Sequence, residues 1–245
     1  MAETFVLIHG AWHGAWCWAA VKRQLEAGGD RVFALDLPGH GDNHHDPAKV
    51  TRAMYVDSVT KFILDRDLRN VTLAGHSLGG LTISGVGQKI ASHIKRLIFV
   101  SALVPLDGVS IGDDLGAMMK PEALAQMHGF AEGLPVVTVE PQRFRDKFLQ
   151  DGSRDLQDFV LAALVPEPTL PMGDPVPMKE FHRLDIPTGY LVCEDDLVLD
   201  DPKLWHPHLS GRLRDPAIRS IKSGHELMFS KPVETAKALA EMARL

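Results

Sequence analysis

The stretch from Val71 to Gly80 decides the fold; it reads Val-Thr-Leu-Ala-Gly-His-Ser-Leu-Gly-Gly. Its first four residues are apolar or β-branched and predict a buried strand. The pattern Gly-x-Ser-x-Gly follows, and a segment of helical periodicity comes next. A serine hydroxyl is a weak nucleophile that needs exposure and an adjacent base. A sharp strand-to-helix turn between small residues provides that exposure. The segment therefore predicts that Ser77 is a nucleophile at the end of a strand.

Further strands and helices are indicated on both sides of this turn. Most of the short β-branched runs are apolar throughout, which is typical of parallel strands covered on both faces. These runs cover residues 4–8, 31–35, 71–74, 97–100, 188–193 and 218–221. Helical periodicity covers residues 16–27, 53–64 and 78–90, and a last helix follows Pro232. We therefore predict an α/β fold: a mainly parallel sheet of about six strands, with helices on both faces.

The stretch between residues 105 and 187 breaks this alternation. It contains helix-like pieces at 121–128 and 154–164, separated by joints rich in Pro and Gly. We expect a small helical cap insertion over residues 105–187, while residues 1–104 and 188–245 form the core. The cap has many apolar residues, some of which could line a pocket.

A general base and an acid are expected in loops at the C-terminal edge of the sheet, where α/β active sites collect. His225 follows a predicted strand and comes after Ser77, which fits the chain order serine, acid, histidine. The preceding strand ends in Glu-Asp-Asp, so Asp196 or Asp195 can accept a hydrogen bond from the imidazole. Asp107 is a third candidate for the acid.

The oxyanion of an acyl-transfer reaction needs backbone N–H donors. We expect these from Ala11, in the loop after the first strand, and from Leu78, at the start of the helix after Ser77. The four residues from His9 to Trp12 repeat as the next four, His13 to Trp16, which is too short a repeat to predict a structural unit. Substrate contacts are expected from an apolar set near the nucleophile and in the insertion: Gly10, Trp12, His76, Met118, Met119, Phe130 and Phe159.

Composition narrows the classes of partner. The net charge of -6 argues against nucleic acid. No apolar run approaches the length that spans a bilayer, so no membrane association is expected. The histidines and acids between His40 and Asp46 match no fixed ligand spacing, so we predict no metal and no organic cofactor. No signal peptide is apparent, and the sequence fits a cytoplasmic protein. The sequence is also compatible with a homodimer.

The chain resembles the α/β-hydrolase superfamily. Within it, the resemblance is to the small esterases that include plant methyl esterases, hydroxynitrile lyases and bacterial carboxylesterases. The similarity is carried by residues 5–14, 75–80, 190–196 and 224–229. The resemblance implies a triad of Ser77, His225 and Asp196, with the oxyanion donors at Ala11 and Leu78. It selects Asp196 over Asp195, because the acid of that family falls third after the cysteine that ends the strand.

We therefore predict a serine hydrolase that cleaves a carboxylic ester of a small apolar or aromatic substrate through an acyl-enzyme. Hydroxynitrile lyases of this fold carry Thr where this chain has Gly10 and Lys where it has Glu226, and a glutamate would repel cyanide. A cofactor-free dioxygenase would use the histidine and acid as a base without an acyl-enzyme. A non-catalytic receptor would not need to keep all three groups of the triad.

Overall fold

The computed structural model describes residues 2–125, 127–128 and 133–245. Its main sheet has six parallel strands in the order β2-β1-β3-β4-β8-β9. These strands are β1 (Thr4–Ile8), β2 (Arg31–Leu35), β3 (Val71–His76), β4 (Ile94–Val100), β8 (Thr188–Cys193) and β9 (Ala217–Ile221). Parallel strands must be joined by crossovers, and the helices that follow them supply these. The predicted sheet of about six strands is confirmed.

Two hydrophobic cores cover the two faces of this sheet. Alternate residues of β1 point to opposite sides, so Phe5 and Leu7 pack in one core and Val6 and Ile8 in the other. The first core is completed by α1 (Ala19–Ala27) and α10 (Pro232–Ala243), and the second by α2 (Arg52–Asp65) and α3 (Gly79–Lys89). Helices therefore lie on both faces, as predicted.

Local signals account for where these helices begin. The α2 helix starts after Thr51, whose hydroxyl accepts a hydrogen bond from the Met54 N–H and so satisfies an N–H left free at a helix start. The α10 helix begins with Pro232, which has no N–H to leave unpaired. The α1 helix begins at Ala19, later than predicted, because a short 3₁₀ turn at Ala15–Trp18 precedes it.

The chain between β4 and β8 contains short helices and a second sheet. The helices are α4 (Ile111–Met118), α5 (Pro121–Leu124), α6 (Pro141–Arg143), α7 (Arg154–Ala163) and α8 (Leu170–Gly173). The strands are β5 (Met127–His128), β6 (Val136–Val139) and β7 (Glu167–Pro168), paired antiparallel in the order β5-β6-β7. The helix predicted over 121–128 therefore ends at Leu124, because residues 127–128 pair with β6 instead. The expectation of a small helical cap insertion did not include this sheet.

The remaining features are the two cysteines, a short helix near the C-terminus and the lengths of the helices. Both cysteines, Cys17 and Cys193, are buried and free, and both belong to the core that α1 and α10 complete. A short helix α9 (Leu227–Ser230) precedes α10. Among the residues that the structure describes, no helix has the length and apolar character needed to cross a bilayer.

Candidate active site

Ser77 lies in a tight turn between β3 and α3. Its φ of +51° is in the left-handed region, which costs a residue with a side chain about 1–2 kcal/mol. Hydrogen bonds offset this cost: the Ser77 N–H donates to the Val100 carbonyl at 3.2 Å, and the Ser77 carbonyl accepts from the Leu103 N–H at 3.0 Å. The turn therefore holds the serine in a strained conformation that neighbouring strands and loops stabilise.

The glycines around Ser77 are explained by close approaches of the backbone. A Cβ on Gly75 would lie 2.7 Å from the Gly79 carbonyl oxygen. A Cβ on Gly79 would lie 2.7 Å from the His9 carbonyl oxygen, and one on Gly80 would lie 2.1 Å from that of Leu103. No side chain fits at these distances. The pattern of small residues read from the sequence is thus the condition for packing this turn against the loop after β1.

His225 and Asp196 form a buried pair at the ends of β9 and β8. The His225 Nδ1 lies 2.5 Å from Asp196 Oδ2, and both side chains are at most 1% exposed. The other carboxylate oxygen of Asp196 accepts a hydrogen bond from the Val198 N–H at 3.0 Å. Asp195 is exposed, and Asp107 accepts hydrogen bonds from the Met178 N–H and its neighbour. The structure therefore brings Asp196, and neither alternative acid, to the imidazole.

The electrostatics of this pair favour the imidazolium. Burial lowers the pKa of His225, but Asp196, its hydrogen bond and the nearby Glu226 raise it by more, so the pKa lies above the ordinary 6.5. His225 Nε2 is buried and has no hydrogen-bond partner among the described residues. Phe148 and Trp205 pack against the ring, with centroids 5.5 and 5.1 Å away. The His225 ring is thus oriented by Asp196, while its Nε2 has no hydrogen-bond partner among the described residues.

Ser77 opens into a narrow apolar cavity of about 50 Å³. The cavity is lined by residues from the turn at Ser77, the loop after β1, the chain between β4 and β8, and the loop after β8: Ala11, Trp12, Ser77, Leu78, Leu103, Leu115, Met119, Val137, Phe148, Met172, Val198, Leu199 and Trp205. The backbone N–H groups of Ala11 and Leu78 have no hydrogen-bond acceptor in the described part of the chain. Two free N–H donors therefore belong to residues beside the serine hydroxyl.

Only some of the described residues predicted to contact substrate line the cavity. Trp12 and Met119 line the cavity, and Gly10 lies against Ser77 behind it. Met118, next to Met119 at the end of α4, does not line it. Phe159 lies on the solvent side of α7 with 64% of its surface exposed, so its assignment to the pocket needs correction. Phe130 lies outside the described residues.

His76 contacts His225 and does not line the cavity. It is buried, its Nε2–H donates to the His225 carbonyl at 3.1 Å, and the two rings lie 4.6 Å apart. Burial and the neighbouring His225 lower the pKa of His76, which keeps it neutral. The Cys193 thiol donates to the same carbonyl at 3.8 Å. The backbone carbonyl of His225 is therefore held by two donors.

Sequence reasoning missed Trp205 and Met172 as cavity residues. Trp205 is a large apolar residue in the loop that carries Asp196, and that position is a signal the sequence contained. Met172 lies in α8, and nothing in the sequence distinguishes it from the other apolar residues between β4 and β8. Phe148 and Leu115 belonged to that undivided set, and the structure assigns both to the cavity.

One group of described residues brings possible metal ligands together. His76, His225 and Glu226 bring one possible ligand atom each to within 4.8 Å of one another. In each histidine one ring nitrogen is already engaged, since Nδ1 of His225 is bonded to Asp196 and Nε2 of His76 to the His225 carbonyl. The histidine-rich stretch after β2 does not converge: His40 is buried, whereas Asp42, His44, His45 and Asp46 are exposed.

Comparisons with known proteins agree with this fold. The sequence pattern of the family described as "Alpha/beta hydrolase family" matches residues 5–238. Methylesterase 2 of Arabidopsis thaliana is 31% identical over 250 residues, which cover 94% of this chain and 92% of that protein. A carbendazim hydrolyzing esterase of Nocardioides sp. (strain SG-4G) is 38% identical over 126 residues, which are 51% of this chain and 52% of that one.

Solved structures include an extracellular alpha/beta-hydrolase from a Paenibacillus species, which is described as sharing structural and functional homology with Tobacco Salicylic Acid Binding Protein 2. It superposes on this chain with a TM-score of 0.90 at 30% identity, over 99% of this chain and 100% of the other. The similarity thus extends through the chain between β4 and β8 as well as the main sheet.

Proposed function

The chain belongs to the alpha/beta hydrolase family, and we propose that it hydrolyses carboxylic esters, with Ser77 as nucleophile, His225 as general base and Asp196 as the orienting acid. The observation that carries the proposal is the buried contact of 2.5 Å between His225 and Asp196, next to a strained serine turn that opens into an apolar cavity. The esterases among its relatives support the same reaction class.

The reaction proceeds in two halves. His225 Nε2 takes the proton of the Ser77 hydroxyl as its oxygen attacks the ester carbonyl, and Asp196 stabilises the imidazolium that forms. The Ala11 and Leu78 N–H groups donate to the oxyanion of the tetrahedral intermediate. His225 then gives its proton to the leaving alkoxide, and an acyl-enzyme remains. Water attacks the acyl-enzyme by the same route and releases the acid. No cofactor takes part in these steps.

The cavity supports a substrate with a small apolar part. Its lining is aliphatic and aromatic, and its volume is small, about 50 Å³. We propose a small apolar or aromatic ester as substrate, with the chain between residues 105 and 187 acting as a cap that shapes its site. Glu226 is buried beside His225, where its carboxylate disfavours an anionic leaving group such as cyanide. The cytoplasmic location and a homodimer remain predictions.

A fluorophosphonate probe tests the proposal, because it phosphonylates an activated serine. The intact protein should be labelled at Ser77, and Ser77→Ala should lose both labelling and the hydrolysis of nitrophenyl esters. Labelling at another residue, or ester hydrolysis that survives Ser77→Ala, would contradict it. Oxygen uptake that is retained in Ser77→Ala would instead indicate the dioxygenase chemistry.

A further inference from the structure

The loop after β1 is held by side chains whose roles the triad does not explain. His9 Nε2 lies 3.1 Å from the Leu37 N–H, and a backbone N–H can only donate, so Nε2 accepts. The ring proton is therefore on Nδ1, which donates to the Gly10 carbonyl at 2.8 Å. In a trans peptide the C=O and N–H point in opposite directions. With the Gly10 carbonyl directed at His9, the Ala11 N–H points away from His9.

The next peptide, between Ala11 and Trp12, is bound at both ends. The His13 Nδ1–H donates to the Ala11 carbonyl at 2.7 Å. On the opposite side, the Trp12 N–H donates to Glu167 Oε2 at 3.1 Å. His13 and Glu167 are each 1% exposed, so water does not compete for these bonds. The orientation of this peptide fixes where Ala11, and hence its free N–H, lies.

Glu167 collects donors from three separate parts of the chain. Its Oε2 accepts from Trp12 and also lies 2.8 Å from His40 Nε2, and its Oε1 accepts from the Tyr55 hydroxyl at 2.8 Å. Burial lowers the pKa of His40, but Glu167, the hydrogen bond to the Pro38 carbonyl and the charge of Asp36 together raise it by more, so the net shift is upward and favours the ion pair. A buried carboxylate is tolerated when all its neighbours are donors.

Like its bond to Glu167, the other polar contacts of Trp12 are with the insertion, residues 105–187. Its carbonyl accepts from the Val165 N–H at 2.9 Å, and its indole N–H donates to the Val137 carbonyl at 2.9 Å. Its φ of +65° is unusual for a bulky residue and needs such surroundings to persist. The loop after β1 is thus joined to the chain between β4 and β8 through the backbone N–H, the carbonyl and the indole N–H of Trp12.

We propose that Glu167 and His13 are positioning residues, which hold the Ala11–Trp12 peptide from its two ends and so aim the Ala11 N–H at the oxyanion. The proposal rests on the ester hydrolysis proposed above. It also explains the repeated His-Gly-Ala-Trp: the first copy forms the loop, and His13 of the second copy anchors it. The insertion thereby contributes to the geometry of the reaction through Glu167 as well as lining the cavity.

Steady-state kinetics on Glu167→Met and His13→Leu test this. Methionine has a similar volume but no carboxylate acceptor, and leucine cannot donate. Losing an oxyanion donor outright costs about 10²–10³ in kcat, so a misplaced donor should cost about 10-fold to 100-fold. The KM should change little, because the donor acts mainly in the transition state. Glu167→Gln keeps one acceptor oxygen and should retain most of the wild-type kcat.

A double variant distinguishes this role from a merely structural one. Since both side chains act on one peptide, the loss of kcat in the double variant should be smaller than the product of the two single losses. Rates are expressed per active site titrated with the fluorophosphonate, which removes any contribution of unfolded protein. Glu180→Met is the matched control, because Glu180 is 68% exposed and its ion pair among the described residues is with Arg183 on the surface.

The outcomes separate the two proposals. If the wild type neither hydrolyses esters nor is labelled at Ser77, the proposed function fails. If the wild type is active but titrated Glu167→Met and His13→Leu both keep its kcat, the positioning role is overturned. Single losses that multiply fully in the double variant would also overturn it, because they would place the two residues on separate structures.

Discussion

Replacing Gly10 with alanine probes the packing between the loop after β1 and the nucleophile. A Cβ at Gly10 would lie 2.8 Å from the Ser77 Cβ and 3.0 Å from His76 Nδ1. Carbon atoms in contact normally stand about 3.5–4.0 Å apart, so the loop or the serine must move by at least about 0.7 Å. Such a movement would displace the loop that carries the Ala11 N–H, at the place where it faces Ser77.

The expected cost can be worked from this displacement. A misplacement of about 1 Å in an active site can lower the rate about 10²-fold, which is also the lower end of the cost of losing an oxyanion donor. We therefore expect kcat to fall about 10²-fold, which corresponds to about 2.7 kcal/mol in activation free energy. Overpacking should also lower the free energy of unfolding by about 1–3 kcal/mol.

Hydrolysis of a nitrophenyl ester measures kcat, with active sites counted by the fluorophosphonate and stability by thermal unfolding. Gly116→Ala is the matched control, because Gly116 lies in α4 and a Cβ there meets nothing within 4 Å. It should leave kcat unchanged. If titrated Gly10→Ala turned over at the wild-type rate, the argument that this contact sets the oxyanion site would be refuted.

Other substitutions test the remaining assignments. Asp196→Asn should lower kcat about 10⁴-fold, as loss of the orienting acid does in a serine triad, whereas Asp195→Asn should stay close to wild type; the reverse would assign the wrong acid. Glu226→Gln removes a charge that raises the pKa of His225, the proposed general base. Since that histidine must be neutral to act, the acid limb of kcat/KM against pH should move to lower pH, and an unmoved or raised limb would contradict this. Met119→Ala should raise KM for apolar esters because Met119 lines the cavity, whereas Phe159→Ala, at a 64% exposed position, should not; a KM change with Phe159 alone would reverse the placement.

Local patterns in the sequence account for most of the main sheet. The runs that predicted strands are apolar throughout because both faces of the sheet are covered, and this signal is contained in each run itself. The turn at Ser77 was also predictable, because the backbone around it approaches so closely that only glycine fits at the flanking positions. Asp196 and Asp195 could not be separated by pattern alone, since both follow the same strand. Their burial, one exposed and one enclosed, depends on the loop's path.

The second sheet and the residues around Glu167 could not be predicted from the sequence in this way. The β7 strand has two residues, which are too few to show a periodic pattern. It also pairs with β6 across a long intervening segment, so no local signal predicts it. A lone glutamate is usually exposed. Glu167 is buried because Tyr55 and His40, which lie 112 and 127 residues earlier, provide its donors. Phe159 illustrates the opposite case: an apolar residue between β4 and β8 that faces solvent.

The burial of Cys17 and Cys193 has a practical consequence for labelling this protein. Burial, more than any neighbouring charge, raises the pKa of both thiols, so neither forms the thiolate with which alkylating reagents react at neutral pH. A cysteine introduced by Phe159→Cys, on the solvent side of α7, would therefore react far faster with maleimide than the native thiols. A dye or a solid support could be attached there, away from Ser77, and the fluorophosphonate would remain available as an independent second label.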